Sequence, residues 1–312
     1  MVFRVKKRGQ PSLGAADLLA TVRVLVAVMT AWLVLAGGLE QAMADAPPLR
    51  IENPLFAFDN GFRAGWTPEQ QAALLAELGY AGVGGTGTAD LPRRLEAFQS
   101  QGLRIFSLYV GARIGAEGPQ YDAGLKAAIP TLEGQETVLW LYIQGQAADA
   151  EQQAVRVVRE IADLAAPAGL RVVLYPHVGF YVARVEDAVR LARAAERDNV
   201  GASFNLCHFL KLDDEAQLRS RLSAAMPYLE LVSINGSDSG DTRAMGWDRL
   251  IQPLGDGSFD NRRLLALLQE LGYEGPIGLQ CYNVPGDPRE HLARSIAAWR
   301  QWVQSPEAPG DP

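Results

Sequence analysis

Cysteine is scarce, with two residues in a chain of 312. That excludes a disulfide scaffold and a four-thiolate zinc site. An excess of basic charge is missing too. There are 29 Lys and Arg against 36 Asp and Glu, a formal net charge of −7. Nucleic-acid binding needs a basic surface that releases counterions from phosphates, so the sequence predicts no nucleic-acid partner. No GxGxxG opens the first unit and there is no P-loop, which counts against a doubly wound nucleotide-binding sheet. What remains is the composition of an ordinary globular protein, 48% hydrophobic and 21% charged.

The longest uncharged stretch is also short. Val24 to Leu39 spans sixteen residues, below the roughly 20 that a spanning helix requires. It follows a basic start (Arg4, Lys6, Lys7, Arg8) and precedes Ala42-Met43-Ala44, a small-x-small pattern suited to signal-peptidase cleavage. No cysteine follows the run, so a lipoprotein is excluded. Residues 1–44 are therefore expected to be a signal peptide, leaving an exported, periplasmic or extracellular protein with no membrane attachment. The alternative is an uncleaved anchor. Five of the 29 basic and two of the 36 acidic side chains lie in this segment, so the remaining 268 residues carry a net −10. Residues 45–304 are expected to form one domain, and 305–312, rich in proline and charge, a disordered tail.

Repetition organises that domain. Leu75-Ala-Glu-Leu-Gly-Tyr-Ala-Gly82 is echoed by Leu268-Gln-Glu-Leu-Gly-Tyr-Glu-Gly275, and Gly102-Leu-Arg-Ile105 by Gly169-Leu-Arg-Val172. Each unit reads as an amphipathic helix stopped by a glycine that tolerates a left-handed cap, followed by a buried strand. Thr67, Pro68 and Gln70 supply a capping-box start for the first helix. Counting the units gives candidate strands at 55–58, 80–84, 104–110, 138–143, 172–175, 200–205, 229–235 and 277–280. Several are apolar almost throughout, as when a parallel sheet is covered on both faces. Eight strand–helix units in this length predict an α/β fold, a (β/α)8 TIM barrel, which typically takes about 250 residues. A doubly wound open sheet is the alternative.

In such a barrel chemistry sits where strands end. Those positions carry Asp59 and Asn60, Gly84-Gly85-Thr86, Tyr109, Gln144, Tyr175 and His177, Asn205 and His208, Ser233, Asn235 and Asp238, and Gln280 and Tyr282. Rings on which a sugar can stack, surrounded by amides that donate and accept, describe a carbohydrate pocket. Some strand-end amides could instead satisfy buried backbone groups. Trp66 could form a pocket wall or staple the first helix. Leu254-Gly-Asp-Gly-Ser-Phe259 could hold a ligand or be a turn delivering Asp260 as a helix cap. His291, among polar neighbours, is expected to be solvated. Cys207 and Cys281 lie on strands separated by a third, about 9–10 Å apart at the usual spacing, and are expected to be free thiols.

Tyr175-Pro-His177, Phe204-Asn-Leu-Cys-His208, Ile234-Asn-Gly-Ser-Asp238, Leu254-Gly-Asp-Gly257 and Ile277-Gly-Leu-Gln280 resemble the strand-end motifs of the xylose isomerase-like barrels. These include sugar-phosphate isomerases and epimerases and an apurinic endonuclease family. The resemblance runs from about Pro54 to Val303. It implies a divalent metal held by a glutamate on the fifth strand, an aspartate on the sixth, a histidine on the seventh and a glutamate on the eighth. The matching positions here are Tyr175, Asn205, Ser233 or Asn235, and Gln280, none of them a carboxylate. Hard cations want charged oxygen ligands, so no metal and no other cofactor is expected.

Three functions follow. The first is an exported isomerase, epimerase or eliminating lyase that abstracts a proton next to a carbonyl of a small carbohydrate. His177 would be the base, His208 the acid or clamp and Tyr175 a further catalytic group. Asp59, Gln144, Asn205, Asn235, Asp238 and Gln280 would bind the substrate. The second is a carbohydrate-binding barrel without chemistry. The third, a metal-dependent nuclease of the same fold, is disfavoured by charge and by the missing ligands.

Overall fold

The computed structural model describes residues 49–303 apart from Arg63. The expected signal peptide and tail lie outside these residues. Eight parallel strands form a barrel: β1 (Leu55–Phe58), β2 (Gly82–Gly84), β3 (Ser107–Ile114), β4 (Val138–Gly145), β5 (Val172–Leu174), β6 (Val200–Asn205), β7 (Leu229–Ile234) and β8 (Ile277–Leu279). Neighbouring strands pair in parallel from β3 through β8 to β1 and β2, with β1 against β8 in the register Leu55↔Ile277. Between β2 and β3 the chain first pairs as Arg104–Ile105 against Gly82 and Val83. It then kinks at Phe106 and closes the barrel through Thr86 and Leu108.

Helices α1 (Pro68–Leu78), α2 (Leu91–Gln99), α3 (Leu125–Thr131), α4 (Ala150–Ala165), α5 (Val185–Ala195), α6 (Leu206–Leu212), α7 (Leu218–Ala225), α8 (Trp247–Leu250), α9 (Asn261–Glu270) and α10 (Pro288–Trp302) accompany the strands. None among the described residues is long and apolar enough to cross a membrane. The capping box of α1 forms as its residues suggest, with Gln70 N–H donating to Thr67 Oγ1 at 3.3 Å and Thr67 N–H to Gln70 Oε1 at 2.9 Å. Gly79 ends the helix at φ +81°, a conformation that costs an L side chain free energy and glycine little.

Alternation along each strand sorts two apolar layers. Outward residues such as Leu139, Leu141, Ile143, Val172 and Leu174 pack under the helices. Inward residues form an aromatic plug of Phe56, Phe58, Phe106, Trp140 and Tyr175 with Val173 and Leu231. Phe56 stacks on Phe106 and Phe58 on Trp140, both with centroids 4.7 Å apart. Two inward positions are glycine because rings occupy the space. A Cβ on Gly84 would stand 2.3 Å from Phe56, and one on Gly278 would stand 2.5 Å from Phe58. Trp140 Nε1 donates to Ser203 Oγ at 2.9 Å, which in turn donates to the Leu174 carbonyl. The plug closes the barrel below, so a ligand can enter only from the carboxyl ends of the strands.

Candidate functional site

A cavity of about 550 Å³ opens above the plug, lined by Tyr109 within β3 and Trp140 within β4, by residues following β1, β2, β5 and β8, by His208 of α6, and by Trp247 and Ile251 at α8. Its volume falls in the range that encloses small ligands, about 300–1,000 Å³. Tyr109, Trp140, Tyr175, Trp247 and Tyr282 supply aromatic walls, and Asn60, His177, His208, Gln280 and Asn283 supply polar groups. Among the described residues that line it there is no Asp, Glu, Lys or Arg.

The two histidines meet here. β5 ends at Leu174, and Tyr175-Pro176-His177 carries the chain across the mouth. Asn205, at the end of β6, steadies that crossing by donating from Nδ2 to the Pro176 carbonyl at 3.2 Å. His208 lies in the first turn of α6, which begins directly after β6. The imidazole centroids are 4.1 Å apart. That is van der Waals contact, so no substrate fits between the rings and both address a ligand from one side.

Hydrogen bonding assigns the protons. His177 Nδ1 lies 2.7 Å from the Val178 carbonyl. A carbonyl only accepts, so Nδ1 carries the hydrogen and Nε2 of the neutral ring keeps its lone pair. Burial holds His177 below the usual histidine range, outweighing the opposing effect of that hydrogen bond. His208 is held well below it, first by burial and then by His177. Both are neutral near pH 7. Burial also keeps the Tyr175 phenol protonated. Its hydroxyl lies 2.9 Å from His208 Nε2 and holds that ring by a hydrogen bond whose direction depends on the His208 tautomer. His208 is thus clamped, and His177 is the ring free to take a proton.

Gln280 is oriented with equal clarity. Its Oε1 accepts from Asn60 Nδ2 at 2.6 Å, Cys281 N–H at 3.0 Å and Tyr282 N–H at 3.1 Å. Backbone N–H groups only donate, so the accepting atom is the oxygen. The amide nitrogen is left to offer its two hydrogens to the cavity, as an oxyanion donor would.

Of the candidate catalytic and binding residues, Tyr175, His177, His208 and Gln280 line this cavity, as do the strand-end residues Asn60, Gly85, Tyr109 and Tyr282. Asn205 is buried behind it, in contact with a smaller void beside His208. Asp59 lies at the end of β1, but its carboxylate pairs with Arg94 at 3.3 Å, and its neighbour Asn60 faces the cavity instead. Burial raises the Asp59 pKa despite Arg94. Asn235 donates to the Gly236 and Leu250 carbonyls at 2.8 and 2.6 Å. Asp238 pairs with Arg249 at 2.7 Å. Both therefore brace α8, which carries Trp247 to the mouth, and neither lines the cavity. Gln144 is also outside the lining, because β4 runs on to Gly145.

Other readings resolve similarly. Trp66 packs on Phe62 at 5.4 Å and is not a cavity wall. The Leu254–Phe259 segment is a turn, after which Asp260 accepts from Arg263 N–H and caps α9. His291 is a correction: it is 2% exposed, with Nε2 placed 3.2 Å from the Gly61 carbonyl, because this face of α10 packs under the β1 loop. Cys207 and Cys281 are both buried free thiols. Trp140, Trp247, Ile251 and Asn283 were not read from sequence as site residues. For Trp140 the signal was available, since it alternates with the outward Leu139 and Leu141.

The donors at the family's metal positions do not suit a hard divalent cation. Tyr175 is a protonated phenol engaged with His208, and Gln280 Oε1 is already occupied by three N–H groups. The lone pairs left are those of Asn205 Oδ1, Ser233 Oγ and Asn235 Oδ1, buried, neutral and without hydrogen-bond partners. Among the described residues no three His, Cys, Asp or Glu side chains converge to hold an ion.

No curated protein matches the chain in sequence. Solved structures share its fold. A D-allulose 3-epimerase from Methylomonas sp. in complex with D-allulose superposes with a TM-score of 0.64 at 16% identity, covering 82% of this chain and 100% of that one. A 3-keto-D-glucoside 4-epimerase, YcjR, from E. coli in its apo form gives 0.61 at 16%, covering 80% and 98%. The IOLI protein, with a bound zinc atom, gives 0.62 at 18%, covering 80% and 98%. At these identities the likeness establishes the architecture. The family model described as xylose isomerase-like TIM barrel matches residues 72–302, most of the chain, and the protein belongs to that family.

Proposed function

We propose that the protein is a sugar isomerase or epimerase-like enzyme that acts on an uncharged carbohydrate and needs no divalent metal. The observation that carries this is His177, a neutral imidazole with Nδ1 fixed on a carbonyl and Nε2 available, in a cavity walled by aromatic rings and with no charged side chain among its described lining residues. Aromatic faces suit the C–H faces of a sugar, and the absence of Lys and Arg from the described lining residues disfavours phosphorylated substrates. Structural neighbours that bind or act on sugars support the class. The pattern ending at Ala44 supports an exported enzyme that meets free rather than phosphorylated sugars.

In this reading His177 Nε2 takes the proton from the carbon next to the carbonyl. The C–H electrons form the double bond of an enediolate, and the charge on oxygen is met by the Gln280 amide. The imidazolium then returns its proton to the former carbonyl carbon, while the hydroxyl proton moves between the two oxygens. Because both histidines stand on one side, a single-base 1,2-transfer fits better than inversion by bases on opposite faces. The lack of any carboxylate among the described lining residues is the observation that favours the second reading, a barrel that only binds carbohydrate.

The test is incubation of the purified protein with aldoses, ketoses and 3-keto sugars in D₂O containing chelator, followed by NMR. Deuterium should enter at the carbon adjacent to the carbonyl. His177→Ala should slow this on the order of 10²–10⁴, the usual contribution of a general base. Binding without exchange by the wild type would leave the second reading.

A further inference from the structure

The large hydrophobic side chains that stand exposed among the described residues are two, Trp247 at 37% and Tyr282 at 53%, and both line the rim of the same cavity. The rings deeper in, Trp140 and Tyr175, are 2% and 4% exposed. The cavity therefore has two aromatic zones, an inner one that is packed and an outer one whose faces are open.

The outer zone is also held in place. Trp247 stands edge-on to His208 with centroids 5.4 Å apart, and Lys211 Nζ lies 5.8 Å from its ring centroid. Its short helix is fixed by Asn235 Nδ2 on the Leu250 carbonyl and by the Asp238–Arg249 pair. Tyr282 is thrown outward by a turn. Its N–H is held by Gln280 Oε1, and the next residue, Asn283, adopts φ +56°. A braced tryptophan and a tyrosine in open water are expensive to leave without a partner, since exposed aromatic area gains free energy on burial.

We propose that Trp247 and Tyr282 form an outer subsite for a second sugar ring, so that the substrate is a neutral disaccharide or glycoside and not a lone monosaccharide. This rests on the reading of the inner cavity as a sugar site. The occupant is chosen by continuity: the two rings border the cavity itself, and its lining offers neither the charge an ionic ligand needs nor the extended apolar area of a protein interface.

Titration calorimetry with glucose, maltose and cellobiose tests it on the full chain, with size-exclusion chromatography alongside. The wild type should bind at least one disaccharide about tenfold more tightly than glucose, the upper end for a favourable ring pair. Trp247→Ala and Tyr282→Ala should each bring the ratio of the two dissociation constants toward one, and Trp247→Phe should restore most of it. Tyr282 is exposed, so its variant tests the idea even if Trp247→Ala fails to fold. Glucose bound as tightly as both disaccharides, or a preference that survives both alanine variants, overturns the outer subsite alone. Loss of a wild-type dimer in either variant overturns it in favour of a contact between copies. No binding of any of the three sugars overturns the sugar reading itself, and the outer subsite with it.

Discussion

Inside the barrel, Phe56, Phe58, Phe106 and Trp140 are at most 3% exposed and stack in pairs, and Trp140, the one with a polar atom, donates it to Ser203. At the mouth, Tyr109, Trp247 and Tyr282 keep faces toward open space. The same residue types thus fill one region and line the other. A packed interior gains from every ring contact and leaves nothing unsatisfied. A site retains open faces because a ligand is to cover them. The contrast shows which aromatic residues serve stability and which serve binding.

Substitution should separate the two regions. Phe56→Ala removes a fully buried ring that stacks on Phe106, and should destabilise the fold by about 3–5 kcal/mol in urea or guanidinium unfolding. Tyr282→Ala at the rim should move stability by less than about 0.5 kcal/mol. Equal losses at the two positions would erase the distinction.

A smaller effect is expected from pH. Burial lowers the pKa of both His177 and His208 below the ordinary 6.5, so as pH falls the unfolded chain binds protons before the folded one does. The stability this contributes is fully present above about pH 6.5 and is lost as pH falls through the folded-state values. Unfolding midpoints just below pH 6.5 should therefore decline less steeply in His208→Asn than in the wild type. For the same reason, exchange activity that depends on neutral His177 should persist below pH 6.5 before it falls.

Much of this architecture was legible in the residues. Strands with both faces buried are apolar throughout, and helix ends marked by glycine, as at Gly79 and Gly272, set their spacing. The strand-end rule then pointed to Tyr175, His177, His208 and Gln280. It could not separate them from Asn235 and Asp238, because a short polar side chain at a strand end can serve a ligand or a neighbouring backbone with the same chemistry. Here both brace α8, an element whose course depends on tertiary packing. Trp247 was missed for the same reason. His291 was misread because polar neighbours along a helix do not show which face another loop will cover.

The central proposal is that a mouth with no carboxylate among its described lining residues works through His177 and the Gln280 amide without a divalent metal. Elemental analysis of protein purified without chelator, paired with the exchange assay before and after chelation, tests it most directly. The account predicts far less than one equivalent of manganese, magnesium or zinc and exchange that chelation leaves intact. One equivalent of such an ion, with exchange lost on its removal, would contradict it.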